Sequence, residues 1–461
     1  MYTLAIFYEN RIGTEKNLEK AFYWYQKAVE NGFKEAMFNL AVCYENGKGT
    51  EKNLEKAFCW YQKAAENDHI IAMYYLAVCY SNGKGTEKNL EKAFYWYQKA
   101  AENGIKEAIF ELAICYKNGE GTEKNLEKAF YWYQKAAEKG DKRAMFDLAI
   151  CYKGGKGTEK NLEKAFYWCQ KAAESNHIMA IFNLAASYQN GIGIEKNLEK
   201  AFYWYQKAAE SGVKEAMFNL AIFYKNGEGI ERNLEKAFYW YQKAAENNHI
   251  IAMHNLAVCY ENGEGTEKNL EKAYYLYQKA AESGYEKAMF NLAMCYSTGE
   301  GTEKNLEKAS YWCQKAAENG NKEAMHNLAV NYNNGEGTEK NLEKAFYWYQ
   351  KAAENGNIEA MCNLAIFYNS GKGTEKNLEK AFYWYQKAAE NGNEEAIYNL
   401  AAIYEYGEGT EKNLEKAFYW YQKAAKNGYI KAMCNLAIYY EDGKGTAKNL
   451  ERAFHWYQKA A

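Results

Sequence analysis

Six histidines and eleven cysteines are the residues of this chain whose types suit metal ligation or nucleophilic chemistry. His69, His177 and His249 share one slot, just after a predicted helix end and always followed by Ile, and they lie 72 or 108 residues apart. A metal needs several ligands about 2 Å from one ion, and positions so far apart along the chain do not converge, so the slot reads as loop decoration. His254 and His326 share a second slot, again 72 residues apart. No Asp, Glu or Cys stands at zinc-like spacing from His249 and His254.

Cys43, Cys79, Cys115, Cys151, Cys259 and Cys295 also repeat a single position, while Cys59, Cys169, Cys313, Cys362 and Cys434 are scattered replacements of aromatic residues. A disulfide needs Cα atoms within about 7 Å, closer than successive turns of a stacked array (about 10 Å). Free thiols, buried or half-buried in a reducing compartment, are therefore expected. No N-x-S/T acceptor occurs in the chain, which agrees with a cytoplasmic location. No nucleophile, base and orienting group fall into a set that could be one catalytic centre. Neither an enzyme nor a resident cofactor or metal is expected.

Every one of these residues belongs to a repeating frame. The stretch EKNLEKAFYWYQKAAENG, at Glu87 to Gly104, recurs thirteen times from Glu15 to an altered copy at Ala447, every 36 residues and without insertion or deletion. A fixed period of this size marks stacked repeats that touch only their neighbours. Residues 1–461 thus read as a single all-α array with partial repeats at both ends. Since neither end carries an atypical capping repeat, the array is expected to be part of a longer product.

Within residues 36 to 68, the first predicted helix runs Ala36 to Asn46. Ala36, Met37, Leu40, Ala41 and Tyr44 fall on one arc and barely change between copies. Phe38, Asn39, Val42, Cys43, Glu45 and Asn46 fall on the other arc and carry nearly all the variation. Gly47 and Gly49 end this helix and reverse the chain. Their G-x-G spacing is a weak phosphate-loop signal, with no preceding strand and a copy in every repeat. Asn53 is placed to cap a second helix over about Leu54 to Glu66, with Glu55 in its first turn. Leu54, Ala57, Phe58, Trp60, Tyr61, Ala64 and Ala65 line its packing arc. The aromatic run therefore reads as core rather than as a stacking platform for bases. Gly closes the second helix, replaced at Asp68, Asn176 and Asn248 by the types that best tolerate a left-handed backbone.

Composition narrows the function. With 48% hydrophobic and 17% aromatic residues the chain is not disordered. A net charge of -2, with both signs mixed in every repeat, gives no field for nucleic acid or anionic lipid. No apolar run approaches the length of a membrane span.

Leu40, Ala41, Tyr44, Ala57, Tyr61 and Ala64 resemble the tetratricopeptide pattern, although the period is longer here. The fuller set Ala36, Leu40, Tyr44, Gly47, Gly49, Asn53, Lys56, Ala57, Trp60, Tyr61, Lys63, Ala64 and Ala65 resembles the Sel-1-like repeat over essentially the whole chain. The residue after Leu is Ala rather than Gly, and the cap is Asn rather than Asp. Leu276 stands in for one tryptophan and Arg11 for one loop glycine. The resemblance implies a right-handed superhelical α-solenoid of about thirteen helix-turn-helix repeats acting as an adaptor. A regulatory arm of a larger signalling protein, beside a kinase-like domain, is an alternative. A β-lactamase-like hydrolase, as proposed for cysteine-rich relatives, is a remote one, disfavoured because Ala65 and Ala72 stand where those relatives carry their disulfide.

The resulting expectation is a scaffold that binds partner proteins or peptides in a groove lined by the varying arc of the first helices. The positions taken as its lining are Asn39, Tyr75, Glu111 and Asp147, then His254, His326, Cys362 and Cys434. Val42-type positions, apolar in every copy, are expected to pack in part.

Overall fold

The computed structural model describes residues 1–461 as 26 helices in thirteen pairs and no strand, an α-solenoid. It divides into two compact units, Met1–Arg232 and Asn233–Ala461. One pair shows the logic. Its first helix is Lys34–Asn46, two residues longer at the start than the sequence suggests, and its second is Leu54–Glu66.

Asn53 takes an extended backbone (φ -145°) and its Oδ1 accepts the Lys56 N–H at 2.8 Å, satisfying one donor the helix start would leave bare. In the second unit Asn341 does the same for Lys344 at 2.9 Å. Asp68, Asn176 and Asn248 adopt φ 60°, 58° and 58° in the glycine slot, as their side-chain types suggest.

The two loop glycines have separate jobs. Gly47 (φ 66°) caps the first helix, and Arg11 holds the same left-handed conformation (φ 61°) in its place. Gly49 (φ 69°) lies against the preceding repeat: a Cβ there would sit 2.0 Å from the Leu18 carbonyl oxygen. Gly85 against Leu54 (2.0 Å) and, in the second unit, Gly301 against Leu270 (2.1 Å) repeat this approach. The backbone of one repeat therefore rests directly on the start of the previous second helix, which the turn pattern alone did not reveal.

The core is aromatic and alanine-lined. Tyr61 is fully buried, and Phe58 meets Tyr80 of the next repeat edge-on at 5.2 Å. Phe346 and Tyr368 repeat that pair in the second unit. Trp60 is half-buried with Lys63 Nζ 4.4 Å from its ring. Tyr95, which the helical wheel places among polar residues, is exposed. It stands edge-on to Trp96 with Lys99 Nζ 5.2 Å above it.

One assignment on the wheel needs correction. Cys43 and its equivalents fall on the varying arc, yet Cys43, Cys79, Cys115, Cys151, Cys259 and Cys295 are all buried. A stacked first helix covers two flanks, one against its own second helix and one against the second helix of the preceding repeat. The second contact is visible where aromatics occupy this position: Phe223 lies 5.6 Å from Tyr205, and Phe367 lies 5.1 Å from Tyr349.

Candidate partner-binding face of the first helices

Burial on two flanks leaves each first helix only a strip of side chains in reach of solvent. In the first unit Asn39, Tyr75, Glu111 and Asp147 are all half-buried on that strip. Tyr75 stacks on Tyr61 at 5.3 Å with planes 17° apart, and it leans on Phe38 at 5.5 Å. Glu111 lies 3.7 Å from Arg143, whose guanidinium also pairs with Asp141 at 3.0 Å and covers the Phe110 ring at 4.1 Å. Burial pushes the Glu111 carboxyl above its ordinary range, with Arg143 opposing. Asp147 pairs with Lys117 of the previous repeat at 3.3 Å. Tyr75, Glu111 and Asp147 thus have partners within the chain.

In the second unit His254 and Cys362 are buried, while His326 and Cys434 are half-buried. The two histidines tie neighbouring repeats together. His254 Nε2 lies 3.3 Å from Asn291 Nδ2 and His326 Nε2 lies 3.1 Å from Asn363 Nδ2. Each Nε2 therefore accepts from the amide, and the Nδ1 of His254 faces Asn255 Oδ1 at 3.2 Å as donor. That pattern fits a neutral ring, and burial lowers both pKa values. The slot shared by Phe38, His254 and His326 is thus mainly a joint between repeats.

What remains open is the Val42 position. Val42, Val78 and Ile114 are half-buried and Ile150 is 37% exposed in the first unit. In the second unit Val330 and Ile366 are half-buried, Met294 is 39% exposed and Ile438 is 37% exposed. These residues change identity while staying apolar, and part of each remains in water.

Two features escaped the sequence reading. The first is a tyrosine–carboxylate pair inside a repeat: Tyr25 donates to Glu9, Tyr61 to Glu45, Tyr277 to Glu261 (2.7 Å each) and Tyr421 to Glu405 (2.8 Å). No signal for it existed in the sequence, because Tyr97, Tyr133 and Tyr241 are kept although Ser81, Lys117 and Lys225 stand in the acceptor slot. The second is the job of the His69 slot. His69, His177 and His249 each accept a backbone N–H three residues on, from Ala72, Ala180 and Ala252, at 3.1, 3.2 and 3.1 Å. They are helix caps, and His69 also stacks on Phe38 at 4.9 Å. Asn321, Asn357 and Asn393 cap from the same slot and were the available clue.

Cys59 is exposed, Cys434 is half-buried and the other nine cysteines are buried, all as free thiols. No helix is long and apolar enough to cross a membrane.

The family model described as Sel1 repeat matches thirteen consecutive segments, from residues 1–33 and 34–69 through to 430–461. Among solved structures, the chain is similar to c5321, described as a protective antigen present in uropathogenic Escherichia coli strains and displaying an SLR fold. Identity is 32%, covering 95% of this chain and 94% of that one, with a TM-score of 0.83. It is also similar to a Sel1 repeat protein from Oxalobacter formigenes, at 28% identity over 67% of this chain and 90% of that one, with a TM-score of 0.58. No curated protein matches the chain.

Proposed function

The chain belongs to the Sel1 repeat family, and from that premise we propose that it is a non-enzymatic scaffold, binding partner proteins through an extended segment laid along the first-helix strip. The observation that supports this most is the half-exposed apolar row of Val42, Val78, Ile114 and Ile150, with Met294, Val330, Ile366 and Ile438 in the other unit. A solvated row of apolar side chains gains by being covered. Glu111 and Asp147 beside it are already paired with Arg143 and Lys117, so they shape and rim the surface rather than supply unpaired charges. Shallow, repeated contacts of this kind suit several weak engagements acting together. Free thiols throughout support a cytoplasmic site of action.

The test is selection of linear peptides from a random library on the purified chain, followed by binding to Ile150→Asp and Ile438→Asp. Peptides whose affinity drops at least tenfold in either variant, at unchanged helicity by circular dichroism, uphold the assignment. Selected peptides indifferent to both changes would place binding elsewhere.

A further inference from the structure

Two repeats have lost the buried tyrosine, and both enclose a cavity. Around Cys169 it is about 30 Å³, and around Cys313 it is about 120 Å³. The walls identify what is missing. In complete repeats the tyrosine ring packs on the Phe38-type residue, on the Asn39-type and Cys43-type residues of the next repeat, and points its hydroxyl at the Glu45-type residue. The equivalents around Cys313 are Phe290, Asn327, Asn331 and Ser297, and all four line the cavity. Cys169 is enclosed by the matching set, but there Phe166 also fills space. Beside Cys313 that phenylalanine is Ser310, so the hole has kept most of the volume of a ring.

We propose that the cavity between the helices Glu286–Thr298, Leu306–Glu318 and Lys322–Asn334 is a binding site for a phenol ring, supplied by a ligand in place of the chain's own tyrosine. An enclosed apolar space of about 150 Å³ binds benzene in an engineered protein; this one is of that size, but it is partly open to solvent and partly polar. Its polar lining can hold a phenol hydroxyl: Ser297 stands at the position that receives the tyrosine hydroxyl elsewhere, Asn331 brings an amide where six repeats have a thiol, and Asn327 and Glu336 complete the polar wall. Entry is from the first-helix strip, where Met294 is 39% exposed and lies 3.8 Å from the Asn327 amide. Binding is non-covalent. The Cys313 Sγ donates to the Ala324 carbonyl at 3.2 Å, and burial pushes its pKa up to about 12, so it holds its proton.

The experiment titrates the full chain with p-cresol, toluene and N-acetyl-tyrosinamide, observed by ligand NMR. Saturable p-cresol binding is expected, at least several-fold tighter than toluene, and at least tenfold weaker in Cys313→Tyr, which restores the internal ring. Cys169→Tyr should leave it unchanged. Binding of N-acetyl-tyrosinamide as well would assign the site to a tyrosyl side chain, and binding of p-cresol alone to a small free phenol. Should Cys313→Tyr not fold, Cys313→Leu fills the same space and carries the comparison. No saturable binding, equal binding of toluene, or unchanged binding by the filled variant would overturn the proposal.

Discussion

The Tyr61 hydroxyl donates to Glu45 Oε2 across 2.7 Å, joining the second helix of a repeat to the first at the edge of a fully buried ring. Burial together with the neighbouring carboxylate raises the tyrosine pKa, so the phenol stays protonated and the bond stays made. Not every repeat that keeps the tyrosine keeps the glutamate, and the repeat of Tyr133 shows the effect. Lys117 replaces the glutamate there, and the Tyr133 hydroxyl is buried without a partner.

That contrast sets opposite expectations for the same chemical change. Tyr61→Phe removes a bond to a charged group and should cost about 1.5–3 kcal/mol. Tyr133→Phe removes an unpaired hydroxyl and should be neutral or stabilising. Urea unfolding of the two variants measures the difference directly, and equal losses would show that the carboxylate contributes nothing.

Stability should fall on mild acidification. Burial lowers the pKa of His69, His177, His254 and His326, so the fold prefers each ring neutral. The unfolded chain takes up protons near pH 6.5, and the fold only at lower pH. The stability these neutral rings confer is therefore complete above about pH 6.5 and is lost as pH falls through the folded values. For His69 and His177, protonation also destroys the lone pair that caps Ala72 and Ala180. Melting temperatures at pH 7.5 and 5.5 should differ less in His254→Phe, which adopts the residue of sister repeats, than in the parent chain.

Gly85→Ala and Gly104→Ala separate close approach from backbone conformation. Both glycines have positive φ, 69° and 85°. A methyl at Gly104 meets nothing nearer than a lysine tip at 3.7 Å, so only the left-handed cost of about 1–2 kcal/mol applies. At Gly85 it would collide with the Leu54 carbonyl at 2.0 Å, and one repeat must shift away from its neighbour. The loss should exceed about 4 kcal/mol, the exceptional range for a point change. Similar unfolding midpoints for the two would refute the close approach.

Filling the larger cavity should stabilise. At about 24 cal/mol per Å³ of cavity, the 120 Å³ beside Cys313 corresponds to an upper figure of about 3 kcal/mol for Cys313→Tyr. Cys169→Tyr, with about 30 Å³ to fill, should gain less or be strained by Lys153 and Phe166. Denaturant midpoints rank the two, and the reverse order would contradict the cavity volumes.

The helices, their asparagine caps and the left-handed Asp68, Asn176 and Asn248 were legible because each depends on residues within a few positions along the chain. The candidate face was only partly legible. A helical wheel divides a helix into one covered and one open side, whereas Cys43 and Phe38 are covered by a repeat that lies 36 residues away. Glu111 and Asp147 look like free charges in sequence, and their partners Arg143 and Lys117 sit about 30 residues distant. Variation at those positions therefore reports matching between adjacent copies as much as recognition of anything outside.

Where Gly85 rests on Leu54, and Gly301 on Leu270, neighbouring copies meet main chain to main chain. That contact by itself does not depend on which side chains either copy displays. Copies can therefore be duplicated, deleted or shuffled by recombination without refitting the main-chain part of the seam, leaving only side-chain pairs such as Glu111–Arg143 and Asp147–Lys117 to be matched anew.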